Sequence, residues 1–156
     1  MDKLWAPWRI KYVSGIKTRG CIFCKAFKGR NDKKNLIIYR SKHSFAILNA
    51  FPYNNGHVMI VSNRHVASLD RLTDMEVLDI NKAIVVMVKR LKKALNPAGF
   101  NMGINLGKVS GAGIDKHLHV HLVPRWLGDT NFMPIVSNTK IISQSLGELY
   151  KKITKT

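Results

Sequence analysis

The polar and apolar positions alternate most sharply at residues 117 to 126, HLHVHLVPRW. Side chains of an extended strand point to opposite sides in turn, so Leu118, Val120 and Leu122 share one face and His117, His119 and His121 share the other. Three earlier apolar runs have strand character: NLIIY at 35 to 39, SFAIL at 44 to 48 and HVMIV at 57 to 61. The turn-rich FPYNNG between the last two predicts an antiparallel pair. A helical period runs from Thr73 to about Leu95. Thr73 and Glu76 have capping-box spacing, and Val77, Ile80, Ile84, Met87, Val88 and Leu91 form an apolar stripe. Lys82, Lys89, Lys92 and Lys93 fall largely off that stripe, and Asn96, Pro97 and Gly99 end it.

FNMGINL at 100 to 106 follows, then a loop, GKVSGAG, then the histidine segment, which Pro124 should end or push to a sheet edge. Residues from about Lys140 carry Ile141, Ile142, Leu146, Leu149 and Ile153, the pattern of a shorter helix broken or softened by Gly147. The arm up to about Lys34 shows no clean period. Sequential strands with one long helix inserted and one at the end predict an α+β fold with a largely antiparallel sheet. The 156 residues, 46% hydrophobic, fit one domain, 1–156, with an N-terminal arm at 1–34 and a C-terminal helix and tail at 140–156.

Composition changes this picture in two respects. No apolar run approaches bilayer length and MDKLWAPWRIKYV lacks the apolar stretch of a signal peptide, so the expectation is a cytoplasmic protein with no membrane partner. The formal charge of +17, from 26 Lys and Arg against 9 Asp and Glu, attracts polyanions such as nucleotides or nucleic acid. A lysine bias of the whole proteome explains the same count, because the lysines are scattered.

The chemistry sits in two motifs. CIFC, with Cys21 and Cys24, reads as half a zinc site or a redox pair. A redox pair belongs at a helix start after a strand, whereas this one follows a basic, Gly-containing loop, which favours metal. The histidine face admits several readings: ordinary structural histidines, a catalytic metal site, a nucleophilic imidazole that attacks phosphorus, or a split in which one imidazole joins the cysteines at a structural zinc. The glycine loop adds backbone N–H groups able to approach phosphate. For the split, His65 is a plausible distant ligand, and spacing alone leaves His43 and His57 as alternatives.

HLHVHLV has the His-φ-His-φ-His-φ-φ form, φ being apolar, of the histidine triad (HIT) superfamily of nucleotide hydrolases and transferases. Together with LWAPWRIKY, CIFC, LNAFPYNNGHVMIV, FNMGINLG and GDTNFMP, the chain resembles the bacterial branch similar to diadenosine tetraphosphate (Ap4A) phosphorylases. The resemblance implies a HIT-like antiparallel sheet of about five strands, and a homodimer formed around the long helix and a neighbouring strand. It implies that His119 is the nucleophile, that His121 contacts the phosphate under attack, and that Cys21, Cys24, His65 and His117 hold a structural zinc. Asn105 matches a position lining the nucleotide site and Asn49 one that contacts the ribose. Members often carry Gly-Gln-Ser or Gly-Gln-Thr before the triad; here Gly111, Ala112 and Gly113 stand in a segment one residue longer. Backbone N–H groups there, Ser110, Lys108 and Arg125 are then the candidate phosphate contacts.

The expected reaction is nucleotidyl transfer from a dinucleoside polyphosphate through a nucleotidyl-histidine, with inorganic phosphate or water as acceptor. The competing classes are a hydrolase of Ap4A, Ap3A or other AMP conjugates, a nucleotide- or nucleic-acid-binding module with incidental turnover, and an enzyme with a catalytic metal.

Overall fold

The computed structural model describes residues 20–130 and 141–156. The motif LWAPWRIKY, the end of GDTNFMP and the start of the C-terminal segment lie outside them.

Five strands form one antiparallel sheet in the order β1-β2-β3-β5-β4. They are β1 (Ile37–Arg40), β2 (Ser44–Leu48), β3 (Val58–Ser62), β4 (Gly99–Gly103) and β5 (His119–Arg125). Three of them, β2, β3 and β5, are interior to the sheet, and every residue of β2 and β3 is buried. That explains why their sequences read as apolar runs without alternation. The expected hairpin is present: Ser44 pairs with Ser62 and Leu48 with Val58.

Helix α1 (Ile22–Lys28) and the single turn α2 (Asp32–Asn35) precede β1, in the arm where no period was legible. The long helix α3 (Asp74–Leu95) has the expected capping box: the Thr73 hydroxyl accepts from the Glu76 N–H, and the Glu76 carboxylate accepts from the Thr73 N–H. Asn96 closes it in the left-handed region, which asparagine tolerates. Its buried side chains are Glu76, Ile80, Ala83, Met87, Leu91 and Ala94. The stripe is therefore rotated from the expected one: Val77 is 43% exposed, while Ala83 and Ala94 pack against the sheet. Alanines carry little weight in a hydrophobicity pattern, yet their small size lets the helix approach β2 and β3 closely.

The C-terminal helix α4 (Leu146–Thr154) starts at Ser145, whose hydroxyl accepts from the Glu148 N–H. Gly147 lies within its first turn and breaks nothing. Leu149 and Ile153 are buried, whereas Ile141 is exposed and precedes the helix. Among the described residues, no helix is long and apolar enough to cross a membrane.

The sheet thus has two covered faces. Val58, Ile60, Val120 and Leu122 face α3 and α4. On the other side, Phe45, Ile47, Met59 and Val61 pack with Phe23 and Ala26 of α1. Met59 pairs with His121 and Val61 with His119, so the histidine face is this second, covered face. Pro124 does not end β5 or place it at an edge. It lies beyond Leu122, the last residue to pair with β3, and stays in register with Phe100 of β4. Among the described residues, β5 there pairs only with β4, so a proline is tolerated.

Candidate active site and metal centre

All three triad histidines are buried, at 1%, 5% and 8% exposure in chain order. Burial penalises the charged imidazolium and lowers the pKa of each below the ordinary value, His121 to about 4. They are neutral rings at physiological pH, and their hydrogen bonds decide which nitrogen carries the proton.

His119 lies 2.8 Å through Nδ1 from the carbonyl oxygen of His117. A carbonyl only accepts, so Nδ1 bears the proton and Nε2 holds a free lone pair. This is the tautomer a nucleophilic imidazole needs. Phe23 packs against the ring at 5.1 Å between centroids and holds it in place.

His121 is governed by His57. The Tyr53 backbone N–H donates to His57 Nδ1 at 3.1 Å, so His57 carries its proton on Nε2. That Nε2 lies 2.9 Å from His121 Nδ1, which must accept, leaving His121 with a donor N–H at Nε2. Burial, then the neighbouring His121 and His119 rings, lower the His57 pKa to about 3. The site therefore presents a lone pair at His119 and an N–H donor at His121, with ring centroids 4.9 Å apart.

His57, which spacing alone admits as an alternative metal ligand, sits instead against His121. One signal was available: it stands two residues before Met59, and alternation places it on the face of His121. Asn49, expected at the ribose, is engaged in the same loop. Its Oδ1 accepts from the Phe51 N–H, and its Nδ2 lies 3.2 Å from His57 Nδ1.

The first triad histidine turns to different partners. His117 Nε2 donates to the Ser62 carbonyl at 2.8 Å, which leaves Nδ1 as the lone-pair atom. That atom stands 3.2 Å from Cys21 Sγ, 3.6 Å from Cys24 Sγ and 3.2 Å from His65 Nδ1, and Cys24 Sγ is 3.3 Å from His65 Nδ1. All four ligand atoms lie within 4.8 Å of one another. Tetrahedral zinc with bonds of about 2.0–2.3 Å separates its ligand atoms by roughly 3.3–3.8 Å, so the donor set and its spacing fit that ion. Burial, with the neighbouring Cys21 sulfur, raises the Cys24 thiol pKa, and a bound dication relieves that penalty by favouring thiolates. The cysteine pair does begin a helix, against expectation: Cys21 caps α1 and Cys24 lies in its first turn. What the helix start faces is the two imidazoles. His43 sits apart, its backbone N–H bonded to Asp79.

The remaining expected contacts lie in two places. Lys108 and Ser110 form a short 3-10 turn flanked by Gly107 and Gly111, both at positive φ, and the Ser110 hydroxyl donates to the Gly107 carbonyl. Gly113 lines a cleft of about 440 Å³ beside Cys21, Ile22 and His65. Asn105 is half-buried between β4 and that turn. Arg125 makes a two-pronged ion pair with Asp129 and donates to Asn101, while Asp129 also accepts from the buried Asn54.

The family model described as HIT domain matches residues 30–126. A Mycobacterium tuberculosis protein named AP-4-A phosphorylase is 36% identical over 94% of this chain and 79% of its own length. An adenosine 5'-monophosphoramidase of Schizosaccharomyces pombe is 31% identical over 67% of this chain and 74% of its own. In structure, a zinc-bound histidine triad family protein from Mycobacterium smegmatis superposes with a TM-score of 0.64 at 24% identity, covering 87% of this chain and 91% of that one.

Proposed function

This chain belongs to the HIT domain family, and from that premise we propose that it is a nucleotidyltransferase that cleaves dinucleoside polyphosphates of the Ap4A type, with inorganic phosphate as acceptor. The observation that carries the reading is the His119 tautomer, with Nδ1–H held by the His117 carbonyl and the Nε2 lone pair free.

His119 Nε2 attacks the α-phosphorus, a P–N bond forms, and the bridging P–O bond to the β-phosphate breaks, releasing ATP from Ap4A. The His121 N–H stabilises the negative charge gathering on the phosphoryl oxygens. An oxygen of inorganic phosphate then attacks the same phosphorus, the P–N bond breaks, and ADP leaves with the His119 lone pair restored. Water in place of phosphate gives AMP. Of the expected contacts, Lys108, Asn105, Asn49 and the Gly113 N–H would meet the nucleotide, whereas the Gly111 N–H is bonded to the Lys108 carbonyl, the Ser110 hydroxyl to the Gly107 carbonyl, and the Arg125 charge is balanced by Asp129.

Cys21, Cys24, His65 and His117 would hold zinc, which would supply a cross-link between α1, the segment after β3 and the start of β5. The His117 carbonyl lies against His119 from the same strand. The two thiolates require a reducing compartment, consistent with the cytoplasm. The active unit is a homodimer. The outer edge of β4 has no strand partner among the described residues, Met102 on it is exposed, and α3 leaves Val77, Leu78 and Val85 uncovered, an edge and an apolar surface that a second copy covers.

The test is incubation of the protein and its His119→Ala variant with Ap4A, with and without phosphate, followed by separation of the nucleotides. ATP and ADP formed only with phosphate and only with His119 support the proposal. ATP and AMP in both conditions make the protein a hydrolase of the same mechanism. Absence of turnover, with salt-sensitive retention on DNA or RNA, turns the reading to a binding module.

A further inference from the structure

We infer that Tyr53 is the stacking platform for the second nucleoside of the substrate, the one that departs with the polyphosphate, and that it sets a preference for dinucleotides over mononucleotides. This rests on the nucleotidyl-transfer reading above.

The Tyr53 ring lies 4.5 Å from the His57 ring and 5.5 Å from the His121 ring, tilted by 37° and 35°. Those imidazoles are almost wholly buried, yet Tyr53 is 55% exposed. The phenol ring therefore rests at a tilt on the histidines while more than half of the residue's surface stays exposed. Any apolar side chain would cover His57, but an aromatic ring with a free face also accepts a base by stacking.

Its placement is fixed by the backbone. The Tyr53 N–H bonded to His57 Nδ1, and the His57 N–H bonded to the Asn54 carbonyl, tie the loop to the same histidine that orients His121. A preplaced aromatic ring loses little entropy when a base stacks on it.

The position also matches the direction of departure. Along the histidine row, Phe23 closes the His117 and His119 end and is itself fully buried, so it offers no free face. Tyr53 stands at the His121 end. A polyphosphate that leaves His119 past the His121 N–H would carry its second base to this ring.

The experiment compares Ap4A with adenosine 5'-tetraphosphate, which keeps the chain length and lacks the second nucleoside. In wild type, kcat/KM is measured for both with phosphate present, then repeated in Tyr53→Leu and Tyr53→Phe. The expected result is a fall of about tenfold or more in the Ap4A-to-tetraphosphate ratio for Tyr53→Leu, and a ratio within about twofold of wild type for Tyr53→Phe. An unchanged ratio in Tyr53→Leu overturns the inference, and so does a ratio that collapses in both variants, which would assign the effect to the hydroxyl. Calorimetric binding of both ligands on the His119→Ala background reads the same ratio as Kd values. If wild type turns over neither compound, the transfer reading fails, and this binding ratio alone decides the role of Tyr53.

Discussion

His57 Nε2 donates to His121 Nδ1 across 2.9 Å, and this bond leaves the remaining N–H of His121, at Nε2, as a donor beside His119. The chain of donors starts at a backbone amide, that of Tyr53, which cannot change its protonation state. The polarity of the triad is therefore imposed by the main chain.

Replacing His57 by phenylalanine keeps a ring of similar volume and removes the donor. His121 Nδ1 is left buried without a partner, and the ring is free to adopt the other tautomer. The expected outcome is a loss of about a hundredfold in kcat, against near-complete loss for His119→Ala. Thermal unfolding should register a cost of about 1–3 kcal/mol for the unpaired nitrogen. An unchanged kcat in a folded variant would refute the tautomer argument.

The pH dependence follows from the depressed imidazole pKa values. His57 near 3 and His121 near 4 stay neutral well below 6.5, the ordinary histidine value. Burial lowers the His119 pKa as well, so the acid limb of the kcat/KM profile should lie below 6.5. Stability has the same sign: between the two ranges the unfolded chain binds more protons, so the folded state is fully favoured above about pH 6.5 and loses ground as the pH drops toward 4 and 3. Chemical denaturation at pH 7.5, 6 and 5 should show a decline at each step.

Removing the metal should act through stability. In Cys24→Ser the tetrad loses a thiolate, bound zinc should fall from one per chain toward zero by elemental analysis, and the melting temperature should drop by roughly 10 °C, as a loss of about 3 kcal/mol gives in a domain of this size. If zinc left and the melting temperature stayed, the cross-link role would be wrong.

Gly56 is the turn residue that admits the chain to His57. Its φ is +76°, and a Cβ there would meet Leu95 Cδ1 at 2.6 Å and Pro124 Cγ at 2.9 Å. Gly56→Ala should cost about 2 kcal/mol through backbone strain and overpacking, with Tm lowered by about 4–8 °C. A melting temperature equal to wild type would show that the loop relaxes freely.

Loss of the helix cap gives a smaller effect at a distance from the site. Thr73→Ala removes the oxygen that accepts the Glu76 N–H and should lower stability by about 1 kcal/mol without altering turnover. Parallel measurement of Tm and kcat separates this from the His57 result.

The strands, the long helix and the histidine face were legible in the sequence because each depends on local geometry. A period of two assigns His117, His119 and His121 to one side whatever lies around them, and a capping box needs only Thr73 and Glu76. The tetrad was legible through resemblance, since spacing along the chain does not say that residues 21, 24, 65 and 117 meet. Less was visible where small or polar residues do the packing. Ala83 and Ala94 carry α3 onto the sheet while Val77 stays exposed, and α1 is too short for its Phe23 and Ala26 to make a readable period. Only the tertiary structure decided which protons sit on which nitrogens. Tautomers depend on partners from distant segments: the Ser62 carbonyl for His117, and the Tyr53 amide for His57 and thence His121. A sequence supplies the imidazoles, but hydrogen bonds formed across the folded sheet determine where each lone pair points.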